Sequence, residues 1–186
     1  FRDSAPGVRF FELDLPELQE QKTAKVASLL DSLPDHVTYV PIDFNSQPVH
    51  EALRDAGHDA TQPTFFNWEG VTYFLEASGV DATLASIAAR SASGSEVVFD
   101  YPPRSVIQGQ HGYGTRQAME YVAQMGEPWT FGLEPTAVDE FLTQRGFEVR
   151  SNFGPADLEQ AYLMRSDGAP HGRVAEYIWI VHAAVG

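Results

Sequence analysis

The 186 residues include no cysteine, which excludes a disulfide framework, a thiolate metal site and a cysteine nucleophile. No apolar run approaches the roughly 18 residues of a membrane span, so a membrane is not expected as a partner. Positive charge is scarce: 12 Lys and Arg stand against 26 Asp and Glu, a net charge of −14. Such a field repels nucleic-acid backbones and anionic headgroups, and nucleic acid is not an expected partner either. The six histidines, at 36, 50, 58, 111, 171 and 182, never meet an acid in zinc-protease order, and no carboxylate cluster has calcium-loop spacing; no metal site is expected. The G-x-S-x-G elbow of serine hydrolases is missing as well. The chain opens at Phe1 without a charged-then-apolar leader, so it reads as processed or as a piece of something longer. The lack of cysteine fits a reducing compartment, and the cytoplasm is the expected location.

What the chain does have is 43% hydrophobic and 12% aromatic content, ample for one domain of this length. The pattern that fills it alternates strand and helix. Val8 to Leu13 is a short aromatic strand, and Pro16 can open a helix that runs to Leu33. Val37 to Phe44 is a second strand, followed by a helix over Pro48 to Ala56 that stops at Gly57. Thr64 to Glu69 is a third, followed by a helix over Asp81 to Ala89, and Glu96 to Tyr101 a fourth. Four such units in series predict an α/β fold, a mostly parallel sheet with helices on both faces. Helices are then expected over Arg116 to Met125, Pro135 to Arg145 and Pro155 to Met164, a strand over Phe147 to Arg150, and a closing strand over Ala175 to Val181 that can pair antiparallel. The stretch GQHGYGTRQ carries Gly109, Gly112 and Gly114 but neither follows its strand directly nor brings a phosphate-binding lysine. It reads as a flexible loop on the substrate side or as a plain connection.

The first three strands close on acids: Asp14, with Glu12 two residues before it, then Asp43, then Glu69. Parallel strands put their carboxyl ends on one edge, where open α/β sheets bind ligands. Acids there can accept hydrogen bonds from hydroxyls or amines and favour positive charge over phosphate. Two of them have plainer readings. Asp43 can cap the turn after it, and Glu12 can pair with a nearby Lys or Arg.

The blocks VRFFELDLPELQEQK, VTYVPIDF, PTFFNWEGVTYFL, SEVVFDYPP and GEPWTFGLEPTAVDEFLTQRGFEV together resemble the leucine carboxyl methyltransferase-like branch of the class I S-adenosylmethionine-dependent methyltransferases. The resemblance covers nearly the whole chain. It implies a single methyltransferase-like domain over residues 1–186, a Rossmann-like sheet whose last strand is antiparallel, and S-adenosylmethionine as cofactor. It assigns Asp14, with Glu12 beside it, to the donor's ribose, Asp43 and Phe44 to the border of the adenine, and Glu69 to the donor near its reacting end. Tyr73 would border the acceptor, and His111 and Tyr113 on the Gly-rich loop are the candidates on the acceptor side. The family's Gly-rich turn, which follows the first, central strand, has no counterpart; the chain is expected to begin just after it, with FRDSAPG as the linker, so that the first central strand is missing.

The implied activity is O-methyl transfer to a carboxylate or hydroxyl, on a small molecule or a protein carboxyl terminus. The alternative is an inactive module of the same fold that acts by assembly, as a homodimer or with an upstream segment completing the sheet. A third reading, a nicotinamide-dependent Rossmann enzyme, would also place an acid at the end of its second strand, but the antiparallel closing strand counts against it.

Overall fold

A computed structural model describes residues 7–186; the linker reading of FRDSAPG falls, but for Gly7, outside the described residues. The chain divides into two compact units, Phe1–Ala60 and Thr61–Gly186. The first holds β1 (Phe10–Asp14), α1 (Pro16–Leu30), β2 (Val37–Pro41) and α2 (Val49–Asp55). β1 and β2 pair in parallel, from Phe10 opposite Val37 to Asp14 opposite Pro41. Pro16 opens α1, where a missing N–H costs nothing. The helix ends three residues before the expected Leu33 because Asp31 turns left-handed, with φ 62°, a conformation that Asp tolerates better than most side chains. Val40, Ile42, Val49 and Leu53 supply the buried apolar side chains of this unit. At its other end, the Arg9 guanidinium lies 4.9 Å from the Phe11 ring centre and donates to the Gly57 carbonyl at 2.8 Å, which ties the start of β1 to the end of α2.

The second unit holds β3 (Phe65–Trp68), α3 (Ala77–Arg90), β4 (Glu96–Tyr101), α4 (Arg104–Ile107), α5 (Thr115–Gln124), α6 (Val138–Thr143), β5 (Phe147–Phe153), α7 (Pro155–Tyr162) and β6 (Trp179–Val185). The strand order is β3-β4-β6-β5. β3 and β4 are parallel, and β6 runs antiparallel to both β4 and β5, so the closing strand has the expected direction. It begins four residues later than Ala175. Residues 175–178 instead form a turn, with the Ile178 N–H donating to the Ala175 carbonyl, and the strand continues through Ala183 and Ala184, whose weak strand preference hides it in the sequence. α3 likewise starts at Ala77 rather than Asp81, and the short α4 follows Pro103, where no helix was expected. Among the described residues no helix is long and apolar enough to cross a membrane.

β4 organises this unit. Val97, Phe99 and Tyr101 are fully buried, and the pleat turns Glu96, Val98 and Asp100 to the opposite face, half-buried. The Phe99 ring lies 5.9 Å from Trp68 and 6.2 Å from Tyr101, centre to centre. The Tyr101 hydroxyl donates to Asn152 Oδ1 at 2.8 Å, and burial pushes its pKa well up. Truncating Phe99 leaves a hole beside β4, whose place between its hydrogen-bonded neighbours β3 and β6 is fixed, so Phe99→Ala is expected to cost about 3–5 kcal/mol, read as a lowered urea midpoint at unchanged slope.

Candidate functional site

Each unit brings acids to the carboxyl ends of its own parallel pair. In the first, Asp14 is the last residue of β1 and Asp43 stands two residues past the end of β2, so the two share one edge of the sheet. They are used differently. Asp14 Oδ1 accepts the Leu15 N–H at 2.8 Å, and its other oxygen takes no bond from a described residue. Asp43 has both oxygens engaged: Oδ1 accepts from the Asn45 N–H at 2.9 Å and Oδ2 from the Ser46 hydroxyl at 2.7 Å. The Ser46 bond first, then the Asn45 amide, hold its carboxyl below the usual range. The plainer reading of Asp43, as the cap of its turn, is therefore what the geometry displays, and the turn it caps carries half-buried Phe44. Glu12 finds its cation on α1: Lys22 Nζ lies 2.7 Å from its carboxylate.

In the second unit Glu69 directly follows β3. Its side chain is exposed and has no ion-pair or hydrogen-bond partner among the described residues. Gly70 comes next, left-handed at φ 72°, a conformation that glycine adopts at no steric cost. Its N–H donates to Asp100 Oδ1 at 2.8 Å. Asp100 lies one residue past the Trp68–Phe99 pair on β4, as Glu69 does on β3. In sequence Asp100 looks like one more residue of a strand; the signal that could single it out is an acid inside the apolar run VVFDY, opposite an acid-closing strand. Burial pushes its carboxyl above the ordinary value of 3.8, and the charge of Glu69 adds to that push.

Tyr73 lies four residues past Glu69 and is buried in an aromatic cluster. Its ring centre is 5.1 Å from Trp129, which in turn sits 4.9 Å from Tyr177. Val106, Met119 and Val122 pack against the same cluster. His111 and Tyr113 are exposed on the loop before α5. That loop is held, rather than free. The Tyr113 carbonyl accepts the Glu176 N–H at 2.9 Å, and the Arg173 guanidinium stacks 4.2 Å from the Tyr113 ring centre. A Cβ at Gly112 would run into the Glu176 carboxylate, and one at Gly114 would meet Ala175 at 2.8 Å. The glycines thus allow close packing of the loop on residues 173–176.

The raised pKa of Asp100 has a stability consequence with a definite sign. Below pH 3.8 the group is protonated folded and unfolded alike; above it the unfolded chain ionises first, so folding loses stability as pH rises until the folded group also ionises. Asp100→Asn cannot ionise. The stability of the wild type relative to this variant should therefore fall from pH 4 upward and then level off, as measured by urea unfolding across that range.

Residues 1–88 match the family model described as leucine carboxyl methyltransferase. The chain is 25% identical over 180 residues to the Bacillus subtilis (strain 168) protein described as "Putative S-adenosyl-L-methionine-dependent methyltransferase YktD", with 94% of this chain and 58% of that protein covered. It spans about half the length of the curated relatives it matches. Among solved structures, a DUF574 family protein from Streptomyces avermitilis MA-4680 superposes with TM-score 0.63 at 14% identity over 98% of this chain and 67% of that one. The O-methyltransferase NcsB1 from neocarzinostatin biosynthesis, solved with S-adenosylmethionine and 2-hydroxy-5-methyl naphthoic acid, superposes with TM-score 0.55 at 13% identity over 96% of this chain and 42% of that one. Residues 1–88 thus match that family's model, most of the chain is similar in sequence to curated putative S-adenosyl-L-methionine-dependent methyltransferases, and its fold is the Rossmann-like one of these solved structures.

Proposed function

We propose that the protein transfers a methyl group from S-adenosylmethionine to an oxygen, that of a carboxylate or a hydroxyl, on a small molecule or a protein carboxyl terminus. The observation that carries this reading is Asp14 at the end of β1, whose carboxylate keeps an oxygen open; Glu69, exposed after β3, is assigned to the donor by the family resemblance. Open carboxylates suit a ligand that offers hydroxyls and a positive charge, and the donor has both. When bound, it supplies a methyl group on a positively charged sulfur, which an oxygen nucleophile displaces in line. Asp14 would accept from the ribose hydroxyls, and Glu12, two residues before it on the same strand, is paired with Lys22. Phe44, carried on the turn that Asp43 caps, gives the adenine an apolar face. By the resemblance, Glu69 would face the donor near its reacting end, where its negative charge would favour the cationic donor over its neutral product.

On the acceptor side, Tyr73 belongs to the aromatic cluster with Trp129 and Tyr177, an apolar wall for a substrate's carbon frame. His111 and Tyr113 stand on the loop beside it. A carboxylate acceptor needs no base; for a hydroxyl, His111 is the candidate base on that loop. Most of the rate would come from alignment of nucleophile, methyl carbon and sulfur rather than from acid–base work.

The second reading, assembly through a sheet edge, has one observation in its favour: β3 ends the strand order of its sheet, and Phe65 on it is 61% exposed. Calorimetry separates the two. The protein as its gene encodes it is expected to bind S-adenosylmethionine, with Asp14→Asn weakening donor and product alike by about tenfold and Glu69→Gln weakening mainly the donor. No binding of either ligand, with a concentration-dependent dimer in sedimentation, would favour assembly instead.

A further inference from the structure

We propose that Asp100 is a positioning residue for the methyl donor: by accepting the Gly70 N–H it fixes the turn after β3 and thereby sets where the Glu69 carboxylate stands. The inference rests on the donor-binding role given to Glu69 above. Glu69 has no side-chain partner of its own among the described residues, so the backbone it rides on decides where its charge lies. That backbone is held from two sides. On one, Asp100 Oδ1 takes the Gly70 N–H at 2.8 Å, and the fully buried Thr72 hydroxyl donates to the Asp100 carbonyl. On the other, the Thr130 and Phe131 amides both donate to the Tyr73 carbonyl, at 2.7 and 3.2 Å, and the Thr130 hydroxyl donates to the Leu75 carbonyl at 2.9 Å. Residues 70–75 are thus anchored to β4 and to the stretch after α5.

Gly70 needs its left-handed φ, yet a Cβ there would meet nothing within 4 Å. The glycine answers to the shape of the turn and not to crowding, which is what a turn under external control requires. An acid is also a costly choice for a mere cap. Half-buried next to Glu69, Asp100 loses hydration and meets a like charge, and both raise its pKa, whereas an amide would accept the same bond at no such expense. A second negative charge beside Glu69 is useful where the ligand is a cation.

The test compares wild type, Glu69→Gln, Asp100→Ala and Asp100→Asn by calorimetry with S-adenosylmethionine, whose sulfur is charged, and with S-adenosylhomocysteine, whose sulfur is neutral. D100A is expected to lose about tenfold in donor affinity and less in product affinity, narrowing the donor preference as E69Q does. The E69Q/D100A double variant should add little to either alone, as expected for residues acting as one unit. D100N, whose amide oxygen still accepts from Gly70, should recover most of the preference. Equal losses for both ligands in D100A, or D100N behaving as D100A, would overturn the proposal. If D100A does not fold, Asp100→Ser, too short to reach Gly70, takes its place. Amide exchange at Gly70, measured without ligand, keeps the clamp separate from the functional reading. Exchange faster in D100A and not in D100N sustains the clamp even if the wild type binds neither ligand, in which case the methyl-donor reading is what fails; equal exchange in all three overturns the clamp itself.

Discussion

The parity of β4 is the constraint on which the second unit depends. Three of its side chains, Val97, Phe99 and Tyr101, are fully buried, and successive residues of a strand face opposite ways. Burying those three therefore commits Asp100 to the other face. The parallel pairing with β3 then brings Asp100 level with Glu69, and the Gly70 amide closes the link. A one-residue slip of β4 would move Phe99 and Tyr101 to the half-buried face and an acid into the core at once. Packing and placement of the acids are in this sense one choice: the apolar energy that holds the strand in register also holds the carboxylate in position. The antiparallel β6 reinforces this from the other edge, pairing with every residue of β4 from Glu96 to Tyr101.

Local periodicity reports well on what local residues decide. The strand cores FFELD, VTYVP, FFNW and EVVFDY could be read directly, as could the proline-led starts of α1 and α7 and the glycine stops at Gly57 and Gly146, both left-handed in the structure. The direction of β6 could be argued from its place in the order of elements, but its position could not. Tyr177 belongs by composition to an aromatic strand, yet it leaves the sheet to stack on Trp129, and Ala183 and Ala184 pair in its place. α4 was hidden for a similar reason, since Pro102 and Pro103 read as a break although Pro103 sits at the N-cap of a helical turn.

Side-chain roles were legible only where the partner is near in sequence. Asp43 is tied to Asn45 and Ser46, so its capping role lay within a few residues of itself. Glu12 and Lys22 meet because α1 folds back along β1, ten residues on, and the pairing was open as an alternative for that reason. Asp100 and Gly70 are thirty residues apart, joined only by the register of two strands. The tight packing of Gly112 and Gly114 on residues 175 and 176 is still more distant in sequence, and a loop that looked free turns out to be seated.

The two units repeat one division of labour. In each, one acid is engaged by the backbone of a turn and another, at the neighbouring strand end, keeps oxygens open. Asp43 fixes the turn that carries Phe44 while Asp14 keeps one oxygen open; Asp100 holds the turn at Gly70 while Glu69 is exposed. The environments separate the members chemically. Hydrogen bonds from Ser46 and Asn45 lower the pKa of Asp43, and burial raises that of Asp100, so the first turn is fixed by a carboxylate ionised well below neutral pH and the second by one whose charge comes at a cost. A turn fixed by a firmly ionised acid keeps its shape whatever binds beside it. The turn at Gly70 is different: a cation beside Glu69 and Asp100 would favour the ionised form of Asp100, and a charge-assisted bond to Gly70 is the stronger one. Ligand charge and turn rigidity would then support each other at that end of the sheet.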